Sequence, residues 1–343
     1  MWSAFIAAAA ATWVAGVYLA RATDALDVRW QLGETLGGML LLAIAGTLPE
    51  LAITLTAAAS GHLDLAAGNL LGGIAVQTAV LAICDAFAVE DRPLSYLVGS
   101  LLPVLEALLV VALVSLAALG TLLPTSTHAF GVSPASAAIV VTWGAGMAVL
   151  AHVRRSPKWR AVMPGSSPGR PHRRIPHPAR QHPYSRMATW KVLLIFAAGS
   201  AVTLAAGSTL VASGTTLSSR LGLTGVVFGA TVLALATSLP EISTGVESVR
   251  LGDNQLAMAD VFGGNAFQLT LFAAADLVAG APLLPHAGAA NSWLACLGIA
   301  VTAIYAAAVI IRPQRTWLRL GADSLLVLAT LIVGVAGLAL VAH

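Results

Sequence analysis

Charge is scarce in this 343-residue chain: Asp, Glu, Lys and Arg make up only 10% of it. Soluble domains carry roughly 25%, so a fold surrounded by water on all sides is excluded. Cysteine is scarcer still. Cys84 and Cys296 both lie in apolar stretches without metal-ligand spacing, so they read as small buried hydrophobes and not as a disulfide framework or a zinc site. Histidine is largely kept out of the apolar stretches. His62, His128, His152, His172, His177, His182, His286 and His343 fall mostly in loops, and no Ser-His or His-Glu helical pattern occurs. That removes the nucleophile–base pair or deep metal that an intramembrane enzyme needs. No basic residue precedes the apolar stretch 4–20, and Arg21 follows it. A retained first helix fits that pattern better than a secretory leader.

What the chain has is apolar length. It is 58% hydrophobic, and runs of about 20 residues, enough to cross a hydrocarbon core of about 30 Å, recur from end to end. Ten such runs are predicted: 2–20, 35–59, 64–89, 94–119, 134–153, 189–213, 222–249, 254–279, 289–311 and 319–342. They are too long for barrel strands, so the fold class is an all-α polytopic membrane protein. The basic residues give its orientation. With the N-terminus outside, 17 of the 18 Lys and Arg fall on cytoplasmic connections, and only Arg220 does not. The positive-inside rule requires such a bias. Both termini are then extracytoplasmic, the location is a bacterial cell membrane, and the sequence pI of about 9.2 reports orientation, not nucleic-acid binding. Lipid and inorganic cations are the expected partners, and nothing requires more than a monomer.

Residues 154–188 hold seven prolines and many arginines and have almost no apolar run. They read as a solvated cytoplasmic linker. His172, His177 and His182 recur within it at a spacing that suits neither a helix face nor a strand face. The linker divides the chain into halves, 1–153 and 189–343, each with five predicted helices. A shift of 191 positions lays residues 38–85 on 229–276 without a gap. Leu48-Pro49-Glu50 falls on Leu239-Pro240-Glu241, Gly72-Gly73 on Gly263-Gly264, Gln77 on Gln268 and Asp85 on Asp276. An odd number of helices per half makes the second copy enter the membrane upside down. The fold is therefore expected to hold ten transmembrane helices as two inverted repeats of five, a plan typical of transporters with a midplane site.

The repeated residues carry chemistry. Ionisable groups at membrane depth are costly and mark function by default. A proline inside a helix removes a backbone hydrogen bond, so Pro49 and Pro240 should free carbonyls near 45–47 and 236–238. Gly46, Thr47, Thr237 and Ser238 add carbonyl and hydroxyl oxygens beside Glu50 and Glu241. Gln77 and Gln268 add amide oxygens. The glycine pairs Gly72-Gly73 and Gly263-Gly264, with Pro49 and Pro240, are expected to let helices approach closely. An oxygen-only set with two carboxylates suits calcium, or sodium, better than zinc or copper. Asp85 and Asp276 sit near helix ends and read as interfacial caps or water-facing groups. Glu106 follows Pro103 without a repeat counterpart and is a candidate proton relay. Glu247 is read as vestibular.

At these motifs the chain resembles the calcium/cation antiporter superfamily, which includes sodium/calcium and calcium/proton exchangers. Thr237-Ser238-Leu239-Pro240-Glu241 follows the superfamily's Gly-Thr-Ser-Leu-Pro-Glu pattern. Gly46-Thr47-Leu48-Pro49-Glu50 follows it with a glycine in one place, and Gly68-Asn69 and Asn265 keep parts of the second motif. The resemblance implies ten helices in two inverted halves, with Glu50 and Glu241 as central cation ligands and oxygens at 46–47 and 237–238 completing the site. It implies transported Ca²⁺, Na⁺ or H⁺ and no resident cofactor. Two departures stand out. Family serines are Gly73 and Gly264 here, which weakens sodium sites. Gln77 and Gln268 replace the Asn or Asp of sodium/calcium exchangers, and glutamine there is reminiscent of calcium/proton exchangers. The expectation is calcium antiport with protons slightly favoured over sodium. The rival readings are a monovalent cation exchanger and, more remotely, a channel or an intramembrane enzyme.

Overall fold

The structure is a computed structural model that describes residues 1–30, 47–88, 92–155, 184, 187–250, 252 and 254–341. Gly46, the linker histidines, the first part of repeat 1 and the Glu247 side chain lie outside the described residues. Helix dominates. Among the described residues, eight helices are long and apolar enough to cross a membrane. A ninth span results if the bent pair Gly225–Thr237 and Leu239–Arg250 counts as one. Of the second predicted run, only Leu48–Ala59 is described as helix. Among the described residues the one strand pair is a small hairpin, Thr316–Trp317 against Leu320–Gly321, which hydropathy does not signal.

Several boundaries differ from the hydropathy reading, each for a local reason. The first helix runs Trp2–Trp30, well past Arg21. Its end is tied down by Arg29, whose guanidinium donates to the Tyr184 carbonyl at 2.7 Å and to Thr189 Oγ1 at 2.9 Å. The predicted 94–119 run is broken into Leu94–Leu97 and Leu102–Gly120. Pro103 sits in the first turn of the second piece, where its missing N–H costs nothing. The sixth run extends to a 33-residue helix, Thr189–Leu221. Its hydroxyl-bearing second half bonds back to its own backbone, as Ser208, Thr209, Ser213 and Ser219 do, so it stays helical although hydropathy falls.

The Leu63–Ala86 helix is the axis of the molecule. Of its most apolar stretch 89% is buried, against 17% for Pro134–Arg154, so the first is surrounded by protein and the second borders lipid. Small residues allow this enclosure. A side chain at Gly72 would overlap the backbone of Ala230, and a Cβ at Gly68 would stand 2.7 Å from the Val226 carbonyl oxygen. The axis helix therefore lies directly on the Gly225–Thr237 segment. The long helices Trp2–Trp30 and Thr189–Leu221 pack on each other at the outside, where Gly199 meets Leu19. Each also reaches inward through a glycine. A Cβ at Gly16 would stand 2.9 Å from Pro240 Cγ, and one at Gly207 would stand 2.5 Å from Ala52 Cβ. These glycines are themselves 191 positions apart.

Asp85 and Asp276 are buried caps, as their positions suggest. Asp85 Oδ1 accepts from the Leu94 amide at 2.6 Å, and its Oδ2 accepts from Gly321 N at 2.6 Å and Ser324 Oγ at 2.8 Å. Asp276 accepts from the Leu283 amide at 2.6 Å and from Ser133 N at 3.0 Å. Ser133 and Ser324 also differ by 191 positions. Each carboxylate thus fixes the loop after its own helix and pins the start of a helix in the opposite half. Hydrogen bonds to a charged acceptor of this kind are worth about 1.5–3 kcal/mol each.

Candidate functional site: a two-carboxylate centre

The Leu-Pro-Glu segments lie at helix breaks. In the second copy, a π-helical turn at Gly229–Leu233 precedes Ala234–Thr237. The chain then breaks at Ser238 and restarts as Leu239–Arg250 with a bend of 42°. In the first copy, the helix begins at Leu48 with Pro49 in its first turn and Glu50 directly after. The breaks are shorter than the sequence implies. The Thr47 carbonyl accepts from Leu51 N at 2.9 Å and the Ser238 carbonyl from Ile242 N at 3.1 Å. The expectation that these two carbonyls are freed is therefore corrected. Each helix resumes within one residue of its proline, and a first-turn proline gives up only a donor that had no partner. The hydroxyls of Thr237 and Ser238 bond inward, to the Ala234 carbonyl at 3.1 and 2.7 Å.

Glu50, Thr47, Gln77, Thr237, Ser238 and Gln268 are all buried, and Glu241 is half-buried. Gln77 Nε2 donates to Glu50 Oε1 at 2.9 Å, across the two helices of the first copy. Thr237, from the other copy, stands against Glu50. The Glu50 and Glu241 carboxylates lie within electrostatic range of each other. Gln268 does not mirror Gln77. Its Nε2 donates to the Leu70 carbonyl at 2.9 Å, and a Cβ at Gly73 would stand 2.6 Å from that nitrogen. Asn265 Nδ2 donates to Thr78 Oγ1 at 3.1 Å, a second bridge between copies. Gly73 and Gly72 thus act as close-approach points. Around Gly263 and Gly264 nothing among the described residues comes within 4 Å of an added Cβ. Residues 38–46 are outside the described set.

The centre is rich in acceptors. Among the described residues, Glu50 Oε2, Glu241 Oε2 and Gln268 Oε1 are enclosed and accept no hydrogen bond. Enclosed oxygens without donors are costly for a fold, and carboxylate and amide oxygens are the donor types a hard cation takes. Among the described residues, no three of His, Cys, Asp and Glu converge on one point, so a cation held here would need neutral oxygens as well.

Glu106 lies elsewhere. Its Oε1 pairs with Arg154 Nη2 at 3.1 Å, joining the Leu102–Gly120 helix to the end of Pro134–Arg155. The pair also ties the two helices together at the linker's start. Asp260 escaped the sequence reading. It occupies the repeat position of Asn69, and Thr244 Oγ1 donates to its Oδ2 at 2.8 Å. The signal was present in the 191-residue shift, as an acid standing where the first copy has an amide.

The sequence pattern of the family described as "Sodium/calcium exchanger protein" matches residues 1–151 and 191–336. CaxA of Alkalimonas amylolytica, described as a candidate antiporter, is 23% identical over 239 residues, which is 68% of this chain and 66% of CaxA. The inner membrane protein YrbG of Escherichia coli K12 is 32% identical over 62 residues, 18% of this chain and 19% of YrbG. The crystal structure of the H⁺/Ca²⁺ exchanger CAX superimposes with a TM-score of 0.69 at 13% identity, covering 99% of this chain and 86% of that one. A structure of the sodium–calcium exchanger NCX_Mj superimposes with a TM-score of 0.61 at 14% identity, covering 97% of each chain. At such identities these structures speak for the fold alone.

Proposed function

The chain belongs to the sodium/calcium exchanger protein family, and on that premise we propose that it is a secondary antiporter carrying Ca²⁺ against H⁺ or Na⁺. The observation that carries this reading is the approach of Glu50 and Glu241, from two copies of one motif, each with an enclosed oxygen that accepts no hydrogen bond among the described residues. Two glutamates balance one calcium, two sodium ions or two protons, so each exchange leaves the centre neutral. A neutral centre can cross the low-dielectric interior in either loaded form, whereas two bare carboxylates cannot do so cheaply.

In this reading the chain holds ten transmembrane helices as two inverted repeats, with both termini extracytoplasmic and the linker in the cytoplasm. Glu50 and Glu241 are the central ligands, and Gln77, Gln268, Thr47, Thr237, Ser238 and Gly46 supply or position neutral oxygens. Calcium binds only after both carboxylates have lost their protons, and the loaded centre is then exposed on the other side. Trp2–Trp30 and Thr189–Leu221 are the moving elements, sliding over the fixed core through Gly16 and Gly207. Protons are the favoured counter-ion because Gly73 and Gly264 lack the hydroxyls that would build sodium sites.

The test is calcium flux in proteoliposomes under an imposed proton gradient or an imposed sodium gradient. A response to the proton gradient at fixed sodium supports this reading. A response to sodium alone replaces the counter-ion. Calcium flux that needs neither gradient nor trans ion rejects antiport.

A further inference from the structure

The long helices Trp2–Trp30 and Thr189–Leu221 leave a cleft of about 550 Å³ between them, within the size of small-ligand sites. Small residues, Ala10, Ala11, Ala198 and Gly199, make it concave, and Tyr18 and Ile195 stand at one end. Apart from the Tyr18 hydroxyl, every side chain on its wall is apolar. Tyr18 is 48% exposed, so the cleft opens sideways. For a helix that crosses a membrane, that side faces lipid.

The two helices run antiparallel here. Gly199 meets Leu19, and Val192 packs with Ala22 and Leu26. Past Tyr18 and Ile195, the next turn carries Arg21 on one helix and Lys191 on the other. They lie three and four residues beyond the lining residues, hence on the same faces. Both are exposed, and among the described residues neither is in an ion pair. Tyr184 lies within electrostatic range of Arg21 and Tyr18, and the Lys191 ammonium stands 5.6 Å from the centre of the Trp190 ring. Arg29, by contrast, is occupied by the Tyr184 carbonyl and Thr189. The acids Asp24 and Asp27 follow Arg21, and at about 100° per residue their positions fall well off the face of the cleft. The most apolar part of the first helix ends at Leu19. Arg21 and Lys191 therefore come at the depth where acyl chains give way to headgroups and where interfacial Trp and Tyr collect.

We propose that this cleft holds an acyl chain of an anionic phospholipid, with the lipid's phosphate against Arg21 and Lys191. The proposal needs the chain to lie in a bilayer and is independent of the antiport reading. The dry wall suits a hydrocarbon tail, because it offers no hydrogen-bonding group except at Tyr18. The two cations at one end complement a headgroup of net negative charge, which basic residues at a membrane surface attract. The slot and the charges together select a lipid, whereas the charges alone would take any phosphate.

The experiment places the full chain in nanodiscs of equal phosphatidylglycerol and phosphatidylcholine and identifies the lipid it retains by native mass spectrometry. Wild type should retain phosphatidylglycerol over phosphatidylcholine by about tenfold, the attraction that two basic residues exert on an anionic lipid. The Arg21→Gln/Lys191→Gln double variant should bring that preference close to parity. Both side chains are exposed, so the fold does not depend on them. Ala198→Phe, also at an exposed position, fills the cleft and should release the retained lipid of either kind. Inorganic phosphate should not displace the lipid. Equal retention of the two lipids by wild type, or an unchanged preference in the double variant, overturns the proposal. Retention unaltered by Ala198→Phe places the lipid elsewhere, and displacement by phosphate alone leaves an anion site without a tail; either result also overturns it.

Discussion

The first and second motif copies share a sequence pattern and sit in different surroundings. In the first copy the glutamine serves the glutamate: Gln77 donates to Glu50, which is fully enclosed. In the second copy the glutamine is turned away, donating to the Leu70 carbonyl, and Glu241 is half-buried with Asp260 near it. The second copy also carries the π-turn and the break at Ser238. Two segments with one motif thus give the same centre different partners on its two sides. Such inequality suits alternating access, in which the two copies would exchange roles as the outer helices move.

Four outcomes would break or sharpen this comparison. The largest concerns charge. Glu50→Gln or Glu241→Gln alone should reduce calcium transport to background, about a hundredfold or more, because a divalent ion then meets one carboxylate in a desolvated site. Equal losses would mean the two sides are equivalent in turnover despite their different burial. Retained transport in either variant, measured in proteoliposomes, would remove that glutamate from the centre.

The next outcome concerns the moving helices. Thr56 Oγ1 and Ser208 Oγ are 3.2 Å apart at the surface between the Leu48–Ala59 and Thr189–Leu221 helices. Cysteines at both places, once crosslinked, should stop exchange and leave calcium binding measurable. Unimpaired turnover after complete crosslinking would reject sliding at this contact. A smaller effect separates the two glutamines. Gln77→Ala removes a hydrogen bond to a carboxylate, worth about 1.5–3 kcal/mol, whereas Gln268→Ala removes one to a neutral carbonyl, worth about 0.5–1.5 kcal/mol. Calcium affinity should fall further in the first variant, and equal affinities would contradict the assigned partners. The smallest outcome concerns packing. Gly72→Ala meets the Ala230 backbone, and Gly73→Ala meets only the movable end of Gln268. Gly72→Ala should cost about 1–3 kcal/mol by overpacking, and Gly73→Ala less. Thermal unfolding in detergent compares them, and the reverse order would show that the axis helix does not lie on Ala230.

Much of the fold was legible because apolar length and proline or glycine placement act locally. The runs fixed where helices form, and Leu-Pro-Glu marked where two of them break. Asp85 and Asp276 were recognisable as caps from their places near helix ends. What stayed hidden depends on partners far along the chain. Nothing local to Glu106 reveals Arg154, 48 residues away, as its partner. The Thr47 and Ser238 carbonyls looked free because a single sequence does not say how soon a helix resumes. The unequal roles of Gln77 and Gln268 follow from how the copies face each other, which identical spacing cannot encode.

The central claim is that Glu50 and Glu241 hold one cation between them. Calcium titration of the purified chain by calorimetry, wild type beside the Glu50→Gln/Glu241→Gln double variant, addresses it directly. Wild type should bind calcium with an affinity that increases as pH rises, because protons must leave before the cation enters, and the double variant should give no binding heat. A double variant that binds calcium as tightly as wild type would place the cation site elsewhere in the molecule.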